Sequence, residues 1–169
     1  MLMLRKLATP AAAARATMPG MRITAREDYA IRAAVELAAA EGATVKREQI
    51  AERQGIPAPF LENILLDLRR NEVVEAIRGP DGGFRLARPA NEIAVADVIR
   101  AVSGPLATVR GQRPTALDYS GSAESLQELW IALRANIRSV LETVTVADIA
   151  AGRLPARVRK IAASPEAWQ

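Results

Sequence analysis

The 169-residue sequence predicts a mainly α protein with one two-stranded hairpin, on three observations. Apolar residues recur at helical spacing in 29–38, 60–68, 93–102 and 126–144. One stretch alone changes habit: Val73, Val74 and Ile77 are followed by Gly79, Pro80, Asp81, Gly82 and Gly83 before alternation resumes at Phe84 and Leu86, the pattern of a hairpin with a glycine-rich tip. Half the residues are apolar, yet aromatics make up only 4%, which suits closely packed helices better than a large β core.

The chain is organised around Gln49 to Leu86, which reads as helix, glycine-proline corner, helix and hairpin. That is the order of a winged helix-turn-helix. Upstream, Thr24 and Glu27 stand as T-x-x-E, a capping box that starts a helix, with Tyr29, Ala30, Ala33, Ala34, Leu37 and Ala38 as its inner face and Gly42 as its end. Val45 prepares a second helix over Arg47 to Gln54, with Ile50 and Ala51 inward. Gly55 closes it and Pro57 bars its continuation. The third helix, about Pro57 to Arg70, has Phe60, Leu61, Ile64, Leu65 and Leu68 on its buried face. Its other face carries Pro59, Glu62, Asn63 and Asp67 and ends in Arg69 and Arg70, where the helix dipole favours cations.

Beyond the hairpin, Ile93, Val95, Val98, Ile99 and Val102 form a short apolar helical face that stops at Gly104 and Pro105. Residues 106–121 read as loop, with Gly111, Pro114 and Gly121 and no sustained period. Ser122 or Ser125 then caps a long helix whose apolar stripe is Leu126, Leu129, Trp130, Leu133, Ile137, Val140, Leu141 and Val144. Such a stripe covers either its own domain or a second chain; because the winged domain already has a core, we expect a dimer interface. A further short helix follows over Thr145 to Ala151. The expected organisation is therefore a disordered extension over 1–20, a winged domain over 21–105, a loop over 106–121, a dimerisation helix and short helix over 122–151, and a flexible basic tail over 152–169.

Composition removes several function classes. Without cysteine there is no disulfide, thiolate nucleophile or cysteine-held cluster; without histidine the commonest general base and zinc ligand is missing too. No paired carboxylates stand beside a candidate substrate site, so an enzyme is not expected, nor a cofactor or metal. No segment approaches about 18 consecutive uncharged apolar residues, so a cytoplasmic protein that does not span a membrane is expected. The net charge of +4 is misleading: residues 1–20 and 152–169 each carry +3, which leaves −2 for the middle. Any nucleic-acid face must arise from local charge segregation.

Five blocks in order, MRITAREDYAIRA at 21–33, IAERQGI at 50–56, FLENILLDLRRNEVV at 60–74, RGPDGGFRLARP at 78–89 and IAVADVIRAVSGP at 93–105, resemble the Rrf2 family of bacterial transcription regulators. The resemblance covers about residues 21–151. It implies a homodimeric repressor that binds double-stranded DNA at a palindromic operator. It implies that Thr24, Arg26 and Tyr29 lie by the DNA backbone, and that Glu62 and Asn63, with Pro59 and Arg69 on the same helix, serve the major groove. A carboxylate accepts from cytosine N4 and an amide pairs with adenine, so the chemistry agrees. In the wing, Arg78, Gly79, Gly82 and Gly83 would approach the minor groove. Each residue also fits a plainer role: Glu62 a solvated helix charge, Arg78 a surface cation, Gly82 and Gly83 a tight turn.

Two departures from the family pattern stand out. Many members hold an iron-sulfur cluster through three cysteines before the long helix, and this chain has none, so cluster-based sensing is not supported. Pro59 stands where relatives often have a hydroxyl residue, and proline cannot donate to phosphate. The releasing signal is open between a small-molecule effector and a protein partner. A different class of function is a winged-helix protein-protein interaction module that does not bind DNA, consistent with the near-neutral middle of the chain.

Overall fold

The capping box at Thr24 is formed, with the Glu27 N–H donating to the Thr24 hydroxyl at 3.2 Å and the Thr24 N–H donating to Glu27 Oε2 at 2.7 Å. It opens α1 (Ala25–Ala39), in a computed structural model that describes residues 23–168. The expected extension over 1–20 lies outside the described residues. In chain order follow α2 (Arg47–Gln54), α3 (Ala58–Arg70), β1 (Val74–Ile77), β2 (Gly83–Leu86), α4 (Val95–Ser103), α5 (Leu126–Leu141), α6 (Val146–Ala150) and α7 (Ala156–Ala162). The predicted helix-corner-helix is present, with Gly55 left-handed at φ 61° between α2 and α3.

The core forms where α1 and α3 face each other over small and branched side chains. Ala30, Ala33, Ala34 and Leu37 of α1 meet Leu61, Ile64, Leu65 and Leu68 of α3, joined by Ile50, Val73, Val74 and Val98. Alanines on α1 let the helices approach closely, and each buried Leu or Ile contributes about 1.5–3 kcal/mol of apolar burial. Phe60 corrects the expected buried face: it is 55% exposed. It sits at the edge of the apolar stripe, where the Tyr29 ring meets it edge-on at 6.4 Å between centroids.

β1 and β2 pair antiparallel, with Val74 opposite Leu86 and Ile77 opposite Gly83. Val45 adds a third partner that local patterning does not reveal. Its N–H donates to the Phe84 carbonyl at 2.8 Å, and the Phe84 N–H donates back at 2.9 Å. The wing is thereby tied to the segment entering α2. A Cβ on Gly83 would stand 2.7 Å from the Val45 carbonyl oxygen, so close backbone approach requires glycine there.

The carboxyl-terminal part departs from the expected division. Val146 of α6 is fully buried in the winged-domain core, and the Val95 N–H donates to Val144 O at 2.9 Å while the Val146 N–H donates to Ile93 O at 3.0 Å. The core of the winged domain is therefore completed by residues well past 105. Val144 lies beyond the end of α5 and is 5% exposed, packed with Val95, Ile99 and Leu106 of its own chain. It is thus no part of an outward stripe. The 106–121 loop is anchored by buried Leu106, Pro114 and Leu117. The basic tail expected to be flexible carries α7. α5 itself has no buried residue; Leu129 is 55% exposed.

Candidate nucleic-acid interface

α3 presents Pro59, Glu62, Asn63, Leu66, Arg69 and Arg70 outward because its opposite side is sealed into the core. The helix is held from behind by Arg26, which donates to the Asp67 carboxylate and, through Nε at 3.2 Å, to the Val102 carbonyl at the end of α4. Arg26 therefore links α1, α3 and α4. The expectation for Arg26 is proximity to the DNA backbone; in the free protein its guanidinium is engaged with Asp67 and Val102.

Glu62 and Asn63 stand on the amino-terminal half of α3. Glu62 pairs with Arg47 at 3.4 Å, and Arg47 also reaches Glu48 at 3.0 Å. The Glu48 carboxyl is held below its ordinary value, first by a backbone hydrogen bond and then by Arg47, so it stays charged and competes for that guanidinium. Exposed pairs of this kind hold weakly and are readily exchanged. Asn63 donates from Nδ2 to Pro59 O at 3.1 Å, which orients the amide and leaves its oxygen available.

A notch of about 420 Å³ separates α3 from the wing, lined among others by Lys46, Arg47, Glu62, Leu66, Gly82 and Gly83. The turn of the wing closes with the Gly82 N–H donating to Gly79 O at 2.9 Å, and Gly79 takes φ 110°, a conformation that favours glycine. Arg78 is exposed and makes no side-chain hydrogen bond or ion pair among the described residues. Thr24 is exposed but its hydroxyl is committed to the α1 cap. Tyr29 is half-buried, with the Arg32 guanidinium 5.6 Å from its ring centre.

The fold thus brings Glu62 together with Gly82 and Gly83 at one notch. Arg69 lies two turns further along α3 and lines a separate cleft with Glu75 and Arg88. Lys46, Arg47 and Leu66 were not singled out from sequence. Adjacent cations at the start of the expected second helix were a usable signal for the first two; Leu66, one position past the buried Leu65, had none.

A helix-turn-helix whose second helix turns a polar face outward beside a glycine-tipped two-stranded wing defines a winged-helix regulator of the nucleic-acid-binding kind. The chain belongs to the Rrf2 family: residues 23–152 match the family described as Rrf2, iron-dependent transcriptional regulator. It is 50% identical over 143 residues, 84% of this chain and 89% of the relative, to Rv1287 of Mycobacterium tuberculosis, provisionally named an HTH-type transcriptional regulator. It is 36% identical over 134 residues, 76% of this chain and 86% of the relative, to the HTH-type transcriptional regulator IscR of Cereibacter sphaeroides. Among solved structures, CymR, the global cysteine regulator of B. subtilis, superposes with a TM-score of 0.66 at 29% identity, covering 79% of this chain and 98% of that one. T. potens IscR gives 0.62 at 29% identity, covering 89% and 93%. The family and the two sequence relatives are described as transcriptional regulators.

The family description invokes iron, and the residues of this chain do not fit a thiolate- or imidazole-held site. All 169 residues include neither cysteine nor histidine, and no group of three or more carboxylates converges among the described residues. No described helix is long and apolar enough to cross a membrane.

Proposed function

We propose that the protein acts as a cytoplasmic homodimeric repressor whose α3 enters the major groove of a palindromic operator while the wing lies at its flank. The observation that carries this reading is the two-sidedness of α3: Leu61, Ile64, Leu65 and Leu68 are sealed inward while Glu62 lines the wing notch and Asn63 is exposed next to it in the chain. Glu62 would accept from cytosine N4 and Asn63 would address adenine. On meeting DNA, Arg47 would leave Glu62 for a phosphate, so the ion pair of the free protein orients the carboxylate and then opens. Arg78 has no partner to give up and would approach the minor groove, with Gly79, Gly82 and Gly83 admitting the phosphate backbone. Thr24 and Tyr29 would sit near the backbone, and Arg26 would position α3 through Asp67.

Leu126, Leu129, Trp130, Leu133, Ile137, Val140 and Leu141 of α5 would form the seam between copies, setting recognition helices roughly one duplex turn, about 34 Å, apart. The test is fluorescence anisotropy with duplex DNA from upstream of the protein's own gene. Specific binding should fall steeply with salt, because phosphate contacts release counterions. Glu62→Ala should relax base preference by about 1–3 kcal/mol, whereas Arg78→Ala should weaken binding and flatten the salt slope by about one. Equal binding to all sequences in wild type and Glu62→Ala would remove the base-reading assignment, and absence of any salt-sensitive binding would favour a protein-protein module.

A further inference from the structure

A second cleft, of about 470 Å³, lies away from the reading face, between the root of the 106–121 loop, the end of α4 and α5. Four of its lining residues are arginines, Arg100, Arg113, Arg134 and Arg138, and none is acidic. In a chain whose middle section carries a net −2, four guanidinium groups around one concavity are a pronounced local excess of positive charge.

Their neighbours neutralise them only partly. Arg100 and Arg138 share one carboxylate, Glu142, and Arg100 also lies 3.5 Å from Asp97, which pairs in turn with Arg88 at 3.7 Å. The two arginines hold the Glu142 carboxyl below its ordinary value, so it is ionised and already committed. Arg134 donates one N–H to the Leu106 carbonyl, which fixes its plane and leaves its other N–H groups free. Arg113 has no side-chain partner among the described residues. Its backbone is nonetheless anchored, because Pro114 is buried and Val109 and Gln112 bridge across the turn before it. One helical turn before Arg134, Trp130 holds a buried indole N–H that no acceptor meets.

We infer that this cleft is a binding site for a small polyanion, a molecule carrying two or more phosphate or carboxylate charges, and that its occupancy alters operator affinity. Guanidinium forks recognise oxyanions bidentately, and a concavity of this size falls in the range of small-ligand sites. A route to the reading head exists in the contacts. Arg100 lies on α4, whose Val102 carbonyl accepts from Arg26, and Arg26 in turn holds Asp67 on α3. The second half of the inference rests on the DNA-binding reading; the first half does not.

Isothermal titration calorimetry on the full chain, with inorganic pyrophosphate and citrate as probes and sodium chloride matching ionic strength, separates the two halves. Saturable binding of at least one probe is expected; pyrophosphate alone would specify a phosphorylated ligand and citrate alone a polycarboxylate. Arg113→Ala removes no side-chain hydrogen bond or ion pair among the described residues, so it should leave the melting temperature unchanged while weakening binding about tenfold or more, with Arg113→Lys in between. No saturable heat with either probe, or an Arg113→Ala variant that binds as wild type does, would overturn the site. For the second half, saturating probe should change operator affinity at least about fivefold. Intact anion binding with unchanged operator affinity would overturn the effector role while leaving the site. Arg113→Ala that lowers DNA affinity and its salt slope without any probe would instead make the cluster a phosphate contact and sink the small-anion assignment.

Discussion

α3 and α5 are both amphipathic, yet the protein treats them differently. α3 has Leu61, Ile64, Leu65 and Leu68 fully enclosed by α1, α2, α4 and β1, whereas α5 has no buried residue and leaves Leu129 and Ile131 exposed. Periodicity cannot distinguish the two, because it reports that a helix has an apolar side and not what covers it. The difference teaches where the chain is self-sufficient. The reading head is completed by its own residues, down to Val146 of α6, while the long helix leaves part of its apolar surface uncovered.

The contrast can be broken experimentally, and the largest effect is expected in the core. Leu68→Ala should lower stability by about 2–5 kcal/mol in chemical denaturation, since a fully enclosed side chain leaves a cavity. Leu129→Ala should cost under about 1 kcal/mol in the same experiment. Equal losses would mean that α5 is as integral to the fold as α3. Next, Gly83→Ala should cost about 1–3 kcal/mol and loosen the wing, because its Cβ meets the Val45 carbonyl and not a flexible side chain. Hydrogen exchange at the Val45 and Phe84 amides would reveal whether that link opens.

A Leu129→Glu substitution probes the other side of the comparison. In sedimentation velocity it should weaken self-association about tenfold or more, which corresponds to about 1.4 kcal/mol, while the far-ultraviolet spectrum stays unchanged. A dimer as tight as wild type would place the seam elsewhere.

The smallest effect concerns the cap that docks α6 onto the winged core. The Thr145 N–H and hydroxyl donate to Asp148 Oδ2 at 2.9 and 2.8 Å, and these bonds hold the Asp148 carboxyl below its ordinary value. A carboxylate whose folded pKa is depressed stabilises above its unfolded value of about 3.9, and that contribution disappears as pH falls through the lower folded value. Thr145→Ala should therefore cost about 1 kcal/mol near neutrality. The gap from wild type should narrow as pH falls from about 5 to about 2 in thermal melts. Because the Thr145 backbone N–H still reaches Asp148 in this variant, a gap that stays constant with pH would show that the carboxylate gains nothing from the hydroxyl.

Much of the reading head was legible because its signals are local. Thr24 and Glu27 cap α1 within three residues, Gly55 breaks the chain by its own φ, and Gly79 turns the wing tip through its positive φ. Errors arose at the margins of patterns. Phe60 lies at the edge of a helical stripe, where burial depends on a neighbour, and the Tyr29 ring beside it leaves it mostly exposed. Val144 continues the spacing of α5 after the helix has ended, and it turns back to Val95. α7 is short and cationic, so no apolar face announced it.

By itself, the sequence determined that the chain is mainly helical, that 49–86 forms a helix-turn-helix with a wing, and that no thiolate or imidazole is available for iron. Those conclusions follow from composition and from interactions spanning a few residues. Only the tertiary structure decided that Val45 joins the wing, that Arg26 ties α3 to α4, that α6 completes the core, and that four arginines from α4, α5 and the intervening loop surround one cleft. Each unites residues far apart along the chain, and such proximity is set by how the apolar faces of separate helices pack, which no local period encodes.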